Sequence, residues 1–343
     1  MDVTTALFLA QDGVINGAIY ALLGVALVLV FTVTRVILLP QGEFVAYGAL
    51  TMAALEAGIV PGTAALLVAF GVLAAALDLA RGRVGASHLL RSAALDIGAP
   101  LALYAICVVL APLKPPLVVQ AALTLALVAP MGPLLYRIAF EPLAEKSVLV
   151  LLIASVGVHL GLTGLGLLFF GAEGFRTTAF SDAALELGPL AFSGQSLWVL
   201  ALTVLTLAAL SGFFGFTMLG KALRASAVNR AGARLVGIPV ALSGQVAFAL
   251  AALIGALSGV LIAPVTTIYY DTGFIIGLKG FVAAIFGGLA SFPLAAGAAL
   301  LVGLVESFAS FWASAFKEVI VFTIIIPVLL ARSWRADPIE DEA

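Results

Sequence analysis

Residues 14–34 read VINGAIYALLGVALVLVFTVT, a run without one charged side chain, which Arg35 closes. About 20 apolar residues wound into a helix cross a hydrocarbon core of about 30 Å. Comparable, predominantly apolar runs recur at 44–55, 61–77, 97–113, 115–136 and 147–171. Others lie at 196–216, 240–263, 273–290, 294–305 with an extension to 312, and 319–330. They predict an all-α polytopic membrane protein with about ten membrane segments, some of them re-entrant, in one transmembrane domain over residues 1–343. Composition agrees. The chain of 343 residues is 63% hydrophobic and 10% charged, whereas a soluble domain carries about 25% charged residues. So few charges cannot cover so much apolar surface in water. This excludes a cytosolic enzyme, a disordered chain and a coiled coil. A membrane β-barrel needs alternating polar and apolar positions, which these runs lack.

Other functions are excluded by what is scarce. A net charge of −2 offers no basic surface for nucleic acid. A lone cysteine, Cys107, and two histidines, His88 and His159, give neither a disulfide framework nor a metal cluster. The N-terminus lacks a basic segment before its first apolar run, so that run is expected to be a retained span. There is no Gly-x-x-x-x-Gly-Lys-Ser/Thr loop to hold the phosphates of ATP. No cofactor is therefore expected in this chain. If ATP and magnesium drive the protein, they act on another subunit.

The positive-inside rule orients the segments. With the basic stretch 221–234 placed in the cytoplasm, Arg35, Arg81, Arg83, Arg91, Arg137, Lys146, Lys221, Arg224, Arg230, Arg234, Arg332 and Arg335 fall inside. Lys114, Arg176 and Lys317 fall outside, and Lys279 lies within a span. The N-terminus is then outside and the C-terminus cytoplasmic.

Several residues interrupt the apolar pattern. Residues 217–238 form a loop containing Lys221, Ala222, Leu223, Arg224, Ala225, Arg230 and Arg234. Its composition favours a helix through about Leu235, before Gly237 and Pro239. Such a helix suits docking of a cytoplasmic partner, but also a solvated loop or a contact with anionic lipid. Pro40-Gln41-Gly42-Glu43 breaks a segment at what the run lengths suggest is membrane depth. Non-helical backbone survives there only inside protein or beside water, and transporters place substrate groups near such breaks. Glu43 is alternatively a first-turn carboxylate answering the helix dipole at the interface. Asn16 and Tyr20 share one helix face and bond either a ligand or a neighbouring helix. His159 reads as an interhelical contact. Lys279 and Glu306 are ionisable residues inside segments, functional candidates by default, and Lys279 has Asp271 as an available partner. Gly287 and Gly288, with Gly255, Gly259, Gly297 and Gly303, suggest close helix approach.

Four stretches together resemble the permease subunit of branched-chain amino acid ABC importers, the LivH type. Gly13, Gly17 and Tyr20-Ala21-Leu22 resemble its first-span pattern. Residues 38–43 are similar to its Asn-Phe-Ala-His-Gly-Glu motif, and residues 220–237 to its Gly-Arg-Ala-Met-Arg-Ala…Leu-Gly-Ile loop. Gly277-Leu278-Lys279-Gly280-Phe281 with Gly287-Gly288-Leu289-Ala290-Ser291 resembles its Gly-x-Lys-Ala-Phe…Gly-Gly-x-Gly-Ser stretch. The resemblance covers about residues 13–57 and 117–332.

It implies a multi-pass protein of the bacterial inner membrane. It also implies a second, LivM-like permease, two cytoplasmic ATPases and a periplasmic substrate-binding protein as partners. Lys221, Ala222, Leu223, Arg224, Ala225, Arg230, Arg234 and Gly237 would form the coupling helix and its flank. Asn16, Tyr20, Gln41, Gly42, Glu43, Lys279, Gly287 and Gly288 would belong to the path of a branched-chain amino acid or a related amino acid, organic acid or amide. Two departures stand out. Gln41 replaces the motif's His, with Leu38-Leu39-Pro40 for Asn-Phe-Ala, and residues 58–116 read as an inserted helical pair. Two other classes remain open: an ion-coupled secondary transporter relaying protons through Glu43, His159 and Glu306, and a membrane scaffold with no path.

Overall fold

A computed structural model describes residues 2–82, 93–187 and 190–333 of the chain. Arg83, His88, Arg91, Arg335 and the acidic tail that follows lie outside the described residues, as does the side chain of Arg332. The helices in chain order are α1 (Val3–Thr34), α2 (Gln41–Ala57), α3 (Gly62–Ala80), α4 (Ala94–Leu113), α5 (Leu117–Leu143), α6 (Val148–Phe170) and α7 (Gly194–Phe216). They continue as α8 (Met218–Val228), α9 (Arg230–Leu235), α10 (Val240–Ile262), α11 (Thr272–Phe286), α12 (Phe292–Trp312), α13 (Lys317–Thr323) and α14 (Ile325–Ser333). The sheet among the described residues is an antiparallel hairpin, β1 (Ala184–Leu187) and β2 (Leu190–Ser193).

The protein is an all-α polytopic membrane protein. Eight of the described helices are long and apolar enough to span a membrane: α1, α3, α4, α5, α6, α7, α10 and α12. These eight compare with the expected about ten segments, re-entrant ones included, and the remaining runs form shorter helices. Run 44–55 belongs to α2, which has 17 residues, run 273–290 belongs to α11, which has 15, and run 319–330 divides between α13 and α14. Pro40 and Gly58 bound α2, and the Gly287-Gly288 reversal ends α11.

Helix α1 is the axis of the bundle. Its apolar window is 83% buried, against 17% for both α6 and α7, which lie at the periphery. Close approach holds it there. A Cβ added at Gly303 of α12 would lie 2.2 Å from the Gly13 carbonyl oxygen of α1, so only glycine permits this backbone contact. Arg35 ends α1 in the left-handed region at φ 62°, and its guanidinium lies 5.9 Å from the centre of the Phe31 ring. The chain then turns back into the bundle, with Val36 and Leu38 fully buried.

Between residues 58 and 116, α3 and α4 pack on one another and on α5. Arg137 of α5 bridges Asp78 of α3 at 2.5 Å and Asp96 of α4 at 2.7 Å. One planar guanidinium thus ties both helices to the core.

Candidate functional site

The break before α2 lies at mid-depth. Gln41 donates its amide to the Ala251 carbonyl at 3.0 Å, and Ala251 is the central residue of α10. Glu43 meets His159 Nδ1 at 2.7 Å, and His159 is the central residue of α6. The Leu39 N–H, outside any helix, donates to Ser155 Oγ at 2.9 Å, which satisfies a backbone group that lipid could not. Glu43 is indeed in the first turn of its helix, but at the bundle's middle rather than at the interface.

Helix α11 starts at the same level. A Cβ at Gly42 would lie 2.0 Å from the Gly273 carbonyl oxygen, and one at Gly273 would lie 2.2 Å from that of Gly42. From this crossing α2 and α11 run toward opposite ends. Glu56, near the end of α2, accepts from the Thr178 N–H beside the C-terminal end of α10, where Thr177 bonds Ala263. The end of α11 turns into Phe292, which packs with Leu29, Val33, Leu223 and Ala247 near the opposite end of α10. Two helix N-termini therefore meet mid-bundle, each with its positive dipole end there.

Around this crossing, Phe274 stacks on the His159 ring at 4.3 Å, and Thr163 donates to the His159 carbonyl at 3.0 Å. Tyr47 donates to the Leu162 carbonyl at 2.8 Å. Glu43 Oε2 and Gln41 Oε1 are buried without hydrogen-bond partners among the described residues. Two acceptors thus remain open beside polar groups that are otherwise satisfied.

A second polar cluster lies between α1, α11, α12 and α13. Lys279 donates to Glu306 Oε1 at 2.5 Å and to Glu318 Oε1 at 3.1 Å. Tyr20 donates to Glu306 Oε2 at 2.5 Å, and its ring lies 5.7 Å from Lys279 Nζ. The available pairing with Asp271 is not the one formed; Asp271 is exposed. Asn16, one turn before Tyr20, is only half-buried. Gly287 and Gly288 make the tight reversal between α11 and α12. Gly288 has φ 66°, and a Cβ at Gly287 would lie 2.9 Å from the Ala295 nitrogen.

The 217–238 loop folds as two helices, not as one through Leu235. Asn229 adopts an extended conformation (φ −149°, ψ 101°) and its Oδ1 accepts from the Gly232 N–H at 2.8 Å. An asparagine that caps a new helix ends the old one. Thr217 caps α8 in the same way through the Gly220 N–H at 3.0 Å. Leu223 faces inward against Leu29, Val33 and Ala247, whereas Lys221, Arg224 and Ala225 are exposed. Arg234 pairs with Glu145 at 3.0 Å, and Arg230 donates to the Ala144 carbonyl at 3.4 Å. Partial burial lowers the Arg230 pKa from its ordinary value. Gly237 closes α9 at φ 85°. Between α8 and α9 runs a groove of about 460 Å³ lined by Arg224, Val228, Asn229 and Val236.

Sequence reading missed Glu318, Thr163 and Phe274 at the two clusters, and the exposed apolar residues at the ends of α7, α8 and α9. Phe216, Met218, Val228, Leu235 and Val236 are all more than three-quarters exposed. Apolar residues flanking a basic loop were the available signal. Without a fold they could not be told from the ends of spans.

A helical bundle with two helices broken at mid-depth defines a polytopic membrane permease. The family model described as branched-chain amino acid transport system / permease component matches residues 9–329, and the chain belongs to this family. It is 30% identical over 214 residues to the high-affinity branched-chain amino acid transport system permease protein LivH of Escherichia coli K12. That match covers 57% of this chain and 65% of the relative, slightly less than two thirds of its length. LivH of Salmonella typhimurium gives the same identity and coverage. The BraD permease protein of Pseudomonas aeruginosa is 28% identical over 229 residues, covering 63% of this chain and 74% of BraD. No solved structure matches.

Proposed function

We propose that this chain is the permease subunit of an ATP-driven importer and forms a translocation path for branched-chain amino acids or related small amino acids, organic acids or amides. The observation that carries this reading is the family match over residues 9–329; the mid-depth crossing at Gly42 and Gly273 is its geometric support. In this reading the polar part of the substrate passes beside Gln41 and Glu43, whose open acceptors suit an ammonium or amide N–H. Asn16, Tyr20, Lys279 and the Gly287-Gly288 reversal frame the same path. ATP is hydrolysed on two cytoplasmic subunits, with α8 and α9 as the coupling element seated on them. A second, LivM-like permease completes the path and a periplasmic binding protein delivers the substrate. The N-terminus is outside and the C-terminus cytoplasmic. Residues 58–116 are an inserted pair outside the common permease core.

The test is purification of the chain with its neighbouring subunits. An ATPase should copurify, and loaded binding protein should stimulate hydrolysis. Arg224→Glu should leave the complex folded while uncoupling hydrolysis from uptake; unchanged coupled uptake would argue against a coupling role for α8. The Glu43–His159 pair favours one alternative, an ion-coupled transporter. That reading requires uptake by this chain alone in liposomes, abolished by an uncoupler.

A further inference from the structure

Where α7 and α12 diverge, a cleft of about 600 Å³ opens beside the start of α8. Its walls are Leu207, Leu210 and Phe214 of α7 and Phe292 and Ala296 of α12, with Val25 of α1 as its floor. Phe214 and Phe292 stack at 5.5 Å and close one end. The polar side chains among its lining residues are Ser211 and Arg224. Both flanking helices present apolar residues to the outside: Val204 and Leu205 on α7 are more than 60% exposed, and Leu294 and Leu301 on α12 more than half. The cleft therefore opens sideways, at the height where a bilayer leaflet lies.

The charge at its mouth is uncompensated. Arg224 makes no ion pair among the described residues; its one recorded hydrogen bond, to the Phe214 carbonyl, is long at 3.4 Å. No carboxylate is among the lining residues. Lys221 lies one turn earlier on α8 and is exposed. An apolar cleft in a leaflet with a cation at its interfacial end matches an amphiphile with an anionic head and a hydrocarbon tail. Its volume is within the range of sites that hold small molecules.

The geometry points to a binding site for an anionic phospholipid between α7, α12 and α8, with its phosphate on Arg224 and one acyl chain in the cleft. The site does not depend on the transport reading. It occupies one flank of α8, while the groove toward α9 occupies the other, and Arg224 lines both.

The experiment is lipid exchange on the purified subunit complex in nanodiscs. The probes are spin-labelled phosphatidylglycerol and spin-labelled phosphatidylcholine, read as the motionally restricted fraction. Wild-type protein should prefer phosphatidylglycerol by about five-fold, as expected for one interfacial cation. Arg224→Gln should abolish the preference while leaving phosphatidylcholine contact unchanged. Ala296→Phe fills the cleft without touching the cation and should reduce the restricted fraction of both lipids. Equal retention of the two lipids by wild-type protein would overturn the site, as would a preference that survives both substitutions. Photocrosslinking of an Ala296→Cys variant, alkylated with a thiol-reactive benzophenone, to a second permease subunit would also overturn it, because protein would then fill the cleft. Absence of the preference in wild-type protein with ATPase copurification intact tells against this site alone. The converse tells against the importer reading alone.

Discussion

Charge counting makes Glu306 and Glu318 equivalent partners of Lys279, since removing either leaves one carboxylate against one cation. Burial separates them. The Glu306 side chain is 10% exposed and holds both Lys279 and Tyr20, whereas that of Glu318 is 37% exposed and bonds Lys279 through one oxygen. Breaking a buried pair from one side typically costs about 3–5 kcal/mol, whereas a partly exposed pair contributes about 0–1 kcal/mol. Glu306→Gln should therefore lower the thermal unfolding midpoint in detergent markedly, and Glu318→Gln should barely move it. Equal shifts would show that the cluster acts through net charge rather than through burial. The sequence made Lys279 and Glu306 legible as ionisable residues within apolar runs. It could not pair them, because 27 residues and a chain reversal separate them. Glu318 was missed because it stands at the head of a run, where a carboxylate is ordinary.

At the scale of elements, two kinds of joint hold the bundle. The first is backbone contact at glycine. The neighbour that a Gly273 side chain would strike is the Gly42 carbonyl, which no rotamer change can move. Overpacking of this kind costs about 1–3 kcal/mol. Gly212 on α7 is the contrasting case, with nothing within 4 Å of an added Cβ. There alanine removes only the conformational freedom of glycine, a gain of up to about 1 kcal/mol in a helix. Gly273→Ala should lower the unfolding midpoint and Gly212→Ala should hold or raise it; the same sign for both would refute the argument. The second joint is Arg137, which ties α3 and α4 to α5 through Asp78 and Asp96. Arg137→Leu removes the cation that Asp78 and Asp96 share and takes from buried Asp96 its ion pair, which should cost several kcal/mol, seen as a lowered unfolding midpoint in detergent. Apolar periodicity disclosed the helices but not these joints. The break at Pro40-Gln41-Gly42-Glu43 was readable because proline and a carboxylate interrupt hydrophobic sequence. The matching start of α11 was not, because the run 273–290 is broken only by Lys279, and nothing in it marks Gly273 as lying at mid-depth.

For the whole molecule, the question is how a bundle with so few charges engages soluble partners. The basic stretch 221–234 was visible as a cluster of charges, and its charges remain the obvious feature of α8 and α9. Their exposed apolar neighbours offer more binding energy. Val228 and Leu235 are 86% and 88% exposed beside the groove between the two helices. Full burial of such a side chain contributes about 1.5–3 kcal/mol, or about ten-fold or more in affinity. Both residues are already in solvent, so an aspartate at either position disturbs no internal packing. If this face seats an ATPase, Val228→Asp and Leu235→Asp should each weaken ATPase copurification by about ten-fold or more, with an unchanged unfolding midpoint. Ile59 is the control. It is 63% exposed in the turn after α2, at the opposite end of the bundle from α8. Ile59→Asp should leave the ATPase bound. Loss of ATPase with Ile59→Asp, or its retention with both groove variants, would move the coupling surface away from α8 and α9. The first of these outcomes would also reverse the orientation that the basic residues assign to the chain.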